Sequence, residues 1–323
     1  MKLSILVPHY METIEVIRPL LESLKLQQNA DLNNIEVVIC HDGAESPEFL
    51  FKKGEYPFEI RQIRLEKNCL GRARNYCLDA CVGDYVMFCD NDDMFFNVCA
   101  LWLIFEKMEK GFDLLIPKFV EEVKDRSTGK ITCISHDYEA TFIHGKVYRK
   151  EYLIEQGIRW DEELWVHEDY YFNVLAQSLT KNIVYCGTPY YLWKWRDNSA
   201  CRRDPKYLLK TYRNLIDSNE HLVEEFIRRE NEDNAQFYVV LMTFDAYYTM
   251  NKPTWIYQEN KEYRDATEKR FSDYFKAHKA LWEAVSDANK LTVSSKVRER
   301  NIREGMEMEV IPISEWLKHI EEL

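Results

Sequence analysis

Strand and helix signals alternate through the first 125 residues, and few architectures accept that order. "KLSILVPHY" (2–10) is a nearly continuous apolar run, as expected of a strand buried on both faces of a parallel sheet. "IRPLLESLKLQ" (17–27) then shows helical spacing, "IEVVICHDG" (35–43) reads as a second strand, and "FEIRQIRL" (58–65) alternates like a third. Ala73, Tyr76, Cys77, Ala80 and Cys81 lie on one helical face, so a helix is expected to follow Gly71. "YVMFCD" (85–90) is a fourth strand, "VCALWLIFEKMEKG" (98–111) a helix stopped by glycine, and "FDLLIPKFVEEV" (112–123) another strand. Such alternation implies a doubly wound α/β sheet, whose ligands gather at the carboxyl ends of the strands.

The residues at those ends are polar. Strand one ends in Pro8-His9-Tyr10 with Glu12 beyond, strand two in Asp42-Gly43, and strand four in Asp90-Asn91-Asp92-Asp93. Three carboxylates in four positions repel one another unless water or a cation takes up the charge. The run is therefore either an acidic surface turn or a metal site. After residue 125 short strands and helices mix, "IVYCGTPYYLWKWRDNSACRR" (183–203) returns as a strand with an arginine-rich loop, and from 205 the chain reads as mainly helical. The apolar stripe of "AQFYVVLMTFDAYY" is expected to be helix-packing core.

Composition narrows the function. A net charge of −12, spread along the chain with no basic stripe, opposes broad phosphate-backbone binding. Nine cysteines without a C-x-x-C pair or a zinc spacing read as reduced thiols in a cytoplasmic protein, with peripheral membrane association left open. No run approaches the length needed to span a bilayer, and the N-terminal apolar stretch is too short for a signal peptide.

"SILVPHY", "VVICHDGA", "NCLGRARNYCLDACVGDYVMFCDNDD", "GKVYRKEYL" and "HEDYYF" occur in an order that resembles the family 2 glycosyltransferases, inverting nucleotide-sugar enzymes with the GT-A fold. The likeness covers residues 1–200 and leaves the helical remainder unmatched. It implies a GT-A doubly wound mixed sheet, a Rossmann-like nucleotide-sugar-binding domain with a helical C-terminal extension. The expected division is 1–204 for the glycosyltransferase domain (1–125 nucleotide-sugar-binding, 126–204 acceptor-side) and 205–323 for the helical region. Two positions depart from the family pattern: Pro-His-Tyr closes the first strand where Pro-x-Tyr-Asn is commoner, and His41 stands where Asp is usual.

The resemblance also implies roles. Asp92 and Asp90 would hold Mn²⁺ or Mg²⁺, with Asp90 also near the ribose beside Asn91 and with Asp93 in support. Asp42 would read the nucleobase, uracil in a UDP-sugar, in a pocket lined by Pro8, Tyr10 and Glu12. Arg74 either reaches phosphate or holds the acidic rim. Glu168-Asp169 would supply the base, with Asp169 the proton acceptor; as carboxylates at a helix start they are also good caps. His144, Trp193 and Trp195 would face the acceptor, since aromatic faces stack on sugar rings, and Arg196 or Arg202 would bind diphosphate when their loop closes.

The expected reaction moves a hexose or N-acetylhexosamine from a UDP-sugar to an acceptor hydroxyl, on a saccharide or lipid-linked saccharide in surface glycan synthesis. A modified DNA base or a protein stays open as acceptor. So do a non-catalytic nucleotide-sugar-binding module and, more weakly, a nucleotidyltransferase.

Overall fold

The structure, a computed structural model, describes residues 1–197, 199, 207, 211–251, 260–303 and 311–323. The chain divides into two compact units, Met1–Ser199 and Ala200–Leu323.

In the first unit β1 (Leu3–His9) and β2 (Ile35–Asp42) are buried along their whole length, as their mostly apolar runs require, the buried Ser4 hydroxyl donating to Glu36. They pair in parallel, β3 (Glu59–Leu65) continues on the far side of β2, and β4 (Tyr85–Phe88) lies parallel to β1 on its other side. The described sheet runs β3-β2-β1-β4-β8-β6-β9-β5, with β7 on β6. Its second half is mixed: β8 (Val147–Arg149) is antiparallel to both β4 and β6 (Leu114–Lys124), while β9 (Ile183–Trp193) is parallel to β6. β7 is Ile131–His136, and β5 is only Met94–Phe95, antiparallel to β9. β1 therefore sits where the strand order reverses, the place in such a sheet where a crevice opens.

Helix α1 (Ile14–Lys25) buries Ile17, Leu20, Leu21 and Leu24, a single stripe at i, i+3, i+4 and i+7. These pack with Leu3, Ile5, Val7, Val37 and Ile39 in one core, each such side chain contributing about 1.5–3 kcal/mol. Helix α2 (Leu70–Ala80) packs on β1 and β2, its Cys77 Sγ lying 3.6 Å from the Val38 carbonyl. The sequence places this helix after Gly71; the structure starts it at Leu70, with Gly71 inside. The glycine is required for a different reason: a Cβ there would lie 2.6 Å from the Asp161 carbonyl oxygen. Helix α3 (Ala100–Met108) is shorter than the 98–111 run because the Asn97 side chain accepts from the Cys99 N–H and turns the chain first. Short α4 (Lys150–Glu155) follows β8, and α5 (Glu168–Ser178) precedes β9.

The second unit is helical: α6 (Tyr212–Arg228), α7 (Glu232–Met250), α8 (Lys261–Ala284), α9 (Asp287–Arg303) and α10 (Ile313–Glu322). The expected stripe on α7 is core, with Val239, Val240, Met242, Phe244 and Tyr247 buried. Trp316 of α10 stacks on Phe271 of α8 with ring centroids 5.4 Å apart. Among the described residues no helix is long and apolar enough to cross a membrane.

Candidate active site

Parallel pairing in register brings the ends of β1, β2 and β4 to one rim, and each delivers the polar residues that follow it. After β1 the chain turns sharply through Met11, at φ 60°, and presents Tyr10 and Glu12. Tyr10 is half exposed; its ring lies over Gly43, whose φ of +97° a side chain would resist. Pro8 is buried within β1 opposite Cys40. Asp42, buried at the end of β2, accepts the Cys69 N–H with its two oxygens at 2.9 and 3.2 Å. Burial pushes its carboxyl up and the Cys69 N–H opposes that. Lone pairs remain on both oxygens for a further donor.

The acidic run after β4 is divided in function. Asp93 is fully buried, accepting from the Tyr191 hydroxyl at 2.7 Å and the Lys194 N–H at 3.0 Å; it anchors the end of β9. Burial, with the charges of Asp90 and Asp92, pushes its carboxyl well above the usual range. Asp92 is half-buried, and burial followed by the charge of Asp90 raises it too. Its counter-ion is the Arg196 guanidinium, whose Nε is 3.2 Å from Asp92 Oδ2. The same guanidinium donates to Glu12 Oε1 at 3.1 Å, and Glu12 Oε2 accepts from Asn91 at 2.9 Å. Arg196 is the side chain already serving as the cation of this cluster.

Arg74 links the two ends of the site. It is 3 % exposed and stacked on Trp160 at 4.3 Å; it donates to Asp90 Oδ1 at 3.1 Å and to Glu168 Oε1 at 2.9 Å. Burial alone would discharge it, but Asp90, Glu168 and Asp169 outweigh that and hold it charged. Arg74 thus bonds one acid that follows β4, Asp90, and one at the start of α5, Glu168.

Glu168 and Asp169 open α5 after His167, which adopts the left-handed conformation at φ 63°. Burial raises both carboxyls, with Arg74 opposing. The helix start is fixed from beneath by Asn173, which donates to the Asp169 and Thr141 carbonyls at 2.8 Å. Lys146 backs this arrangement: it is buried, donates to the Ala140 and Phe142 carbonyls at 2.7 and 2.6 Å, and is lowered by burial to about 7.

His144 and Trp193 stack with centroids 4.6 Å apart, and His144 Nδ1 is 3.8 Å from Asp93 Oδ2. Trp195 turns its indole N–H to Asp197 at 2.9 Å. Arg202 lies outside the described residues. Two networks thus meet at the rim: Arg74 joins Asp90 to Glu168, Arg196 joins Asp92 to Glu12 and, through Glu12, Asn91; Asp169 follows Glu168, and Pro8, Tyr10 and Asp42 lie on the adjoining strand ends. The sequence reading missed the Lys146–Asn173 support and the bond between His9 and His41, Nδ1 to Nδ1 at 2.9 Å. The first was signalled only by a lysine preceding an apolar strand; the second, by histidines in matched positions of two buried strands.

A divalent cation fits this donor set. Ligand atoms of Asp90, Asp93 and His144 all lie within 4.8 Å of one another. Asp93 is nonetheless a poor ligand, since both its oxygens are already bonded. Asp90 and Asp92 offer hard oxygens at the rim, where a guanidinium already stands in as the cation, and oxygen ligands suit Mg²⁺ or Mn²⁺.

Residues 4–153 match the family model described as glycosyl transferase family 2. EpsH of Bacillus subtilis (strain 168), which carries a glycosyltransferase name, is 26% identical over 243 residues, 69% of this chain and 69% of EpsH. EpsJ of the same organism, named an uncharacterized glycosyltransferase, is 25% identical over 216 residues, 61% of this chain and 62% of EpsJ. Among solved structures, S. aureus TarS 1-349 in complex with UDP-GlcNAc superposes with a TM-score of 0.64 at 18% identity, covering 96% of this chain and 93% of that one. Its complex with UDP gives 0.63 at 18% identity, with coverage of 96% and 94%. This likeness establishes the GT-A arrangement with its helical C-terminal region.

Proposed function

We propose, for a chain that carries a glycosyl transferase family 2 domain and is a glycosyltransferase, that it transfers a hexose or N-acetylhexosamine from a UDP-sugar to a hydroxyl with inversion. The single observation that carries the reading is Arg74, whose two bonds tie the strand-end acids to the start of α5. Asp90 on the donor side and Glu168, the neighbour of the candidate base Asp169, are thereby held across one buried cation.

UDP as carrier is supported by the shared fold with a protein solved bound to UDP and to UDP-GlcNAc. Asp42 would accept an N–H of the base, with Pro8 and Tyr10 against it, while Asp90 and Asn91 flank the ribose. A Mn²⁺ or Mg²⁺ ion held by Asp92 and Asp90 would neutralise the departing diphosphate. Arg196, released from the acids, is long enough to follow that charge. Asp169 takes the proton of the acceptor hydroxyl as its oxygen bonds to the anomeric carbon and the bond to UDP breaks on the opposite face. Burial raises Asp169, which suits a base, since a more basic carboxylate draws the proton more strongly.

In this reading residues 1–125 hold the donor, 126–204 the acceptor beside His144, Trp193 and Trp195, and 205–323 form the helical extension. The acceptor is a saccharide or lipid-linked saccharide of a surface glycan. A net charge of −12 favours such an acceptor over DNA. The described cysteines are all free thiols, which supports a cytoplasmic, reducing setting.

UDP release from a panel of UDP-sugars tests this. The expected result is one preferred donor, with Asp169→Asn slowing release by about 10²–10⁴-fold. Wild-type rates in Asp169→Asn would contradict the assignment of the base.

A further inference from the structure

His41 stands where the family pattern has Asp, and the structure pairs it with His9, its neighbour across β1 and β2. Both rings are 1% exposed and pack against Phe49, at 4.5 and 5.3 Å between centroids. His9 Nε2 is 2.7 Å from the Glu12 carbonyl oxygen. His41 Nε2 is 2.8 Å from Gln62 Oε1. The Gln62 amide cannot be reversed, because its Oε1 accepts from the Phe49 N–H and its Nε2 donates to the Phe49 carbonyl, each at 3.0 Å. Both Nε2 atoms therefore face pure acceptors and must carry hydrogen. The Nδ1–Nδ1 bond of 2.9 Å needs one hydrogen more. Three protons on two rings give the pair one positive charge.

From this proton count we infer that His9 and His41 share a proton and act as positioning residues for the 10–12 turn, through the bond to the Glu12 carbonyl. That turn is short: Met11 is left-handed and donates its N–H to Ser46 Oγ at 3.3 Å, the Glu12 N–H donates to the Tyr10 carbonyl at 2.8 Å, and the Tyr10 N–H to Glu12 Oε2 at 3.1 Å. Yet it sets Glu12, which orients Asn91 and Arg196, and Tyr10, which covers Gly43. The inference deepens the donor-site reading and rests on it.

The shared proton is held only under acid conditions. Burial lowers both histidines. Glu12 faces His9 and Glu48 faces His41, each favouring the charge, while Arg64 of β3 faces both and opposes it. When the proton leaves, two hydrogens remain for three bonds. The link to Glu12 is the one outside the sheet, and it yields.

Two measurements on the full chain test this. In ¹⁵N-histidine spectra, titration should show one proton entering the pair below the usual histidine range, with both Nε2 atoms protonated throughout the acid form. In calorimetry at fixed Mn²⁺, UDP affinity should fall about three- to tenfold as pH rises through that titration, the worth of one buried hydrogen bond. His41→Asn, which cannot carry the proton, should show no such step. Two neutral rings at every pH at which the chain stays folded, or identical affinity profiles for wild type and His41→Asn, would overturn the inference. If His41→Asn fails to fold, the wild-type titration decides alone. Absence of UDP binding at any pH would instead remove the donor-site reading.

Discussion

At the scale of single residues, charge balance decides what each side chain is for. Arg74 is buried with two acids, so its removal strands them. Arg74→Met should cost about 3–5 kcal/mol, most of it from Glu168 left uncompensated, and lower the melting temperature accordingly. A melt within a degree or two of wild type would show the pairs to be dispensable. Arg196 differs, being partly exposed and bound to acids that a metal would also want. Arg196→Gln removes a competitor, so Mn²⁺ should bind about two- to fivefold more tightly without nucleotide, measured as free Mn²⁺ by electron paramagnetic resonance. Weaker Mn²⁺ binding would mean that Arg196 assists the metal site. The carboxylates were legible in the sequence because they interrupt apolar strands. Their counter-ions were not: Arg74 and Glu168 stand far apart in the chain, and nothing local announces that they meet.

At the scale of elements, the long buried strands were the most legible part. β1, β2 and β4 have the mostly apolar runs expected of a parallel interior, broken only by the Ser4–Glu36 pair before their polar ends. β5, two residues long, offers no periodicity to read. Gly71 shows how a correct residue can carry a wrong reason: it looked like a helix boundary, whereas the Asp161 backbone demands it. Gly71→Ala should therefore destabilise by about 1–3 kcal/mol, although alanine is the better helix former, because the clash is with backbone. A more stable Gly71→Ala in thermal melts would contradict the close approach. The start of α5 was visible as Glu168-Asp169. Its support by Lys146 and Asn173 was not, since buried polar networks leave no periodic trace.

At the scale of the whole molecule, the chain is a glycosyltransferase whose family match covers residues 4–153, and its second compact unit, Ala200–Leu323, is helical in its described residues. The order of strands and helices, read from hydrophobic patterning alone, places three acidic termini at one rim. What patterning cannot supply is the mixed second half of the sheet, where β8 runs against β4 and β6, and β5 against β9. The central claim is that the rim acids hold a dication against the leaving diphosphate. Its most direct measurement is UDP released from UDP-GlcNAc by chelator-stripped protein as Mn²⁺ is returned. Release should be negligible when stripped, recover saturably in wild type, and fall by about 10²-fold or more in Asp92→Ala. Full release by stripped protein, or undiminished Mn²⁺-stimulated release in Asp92→Ala, would contradict it.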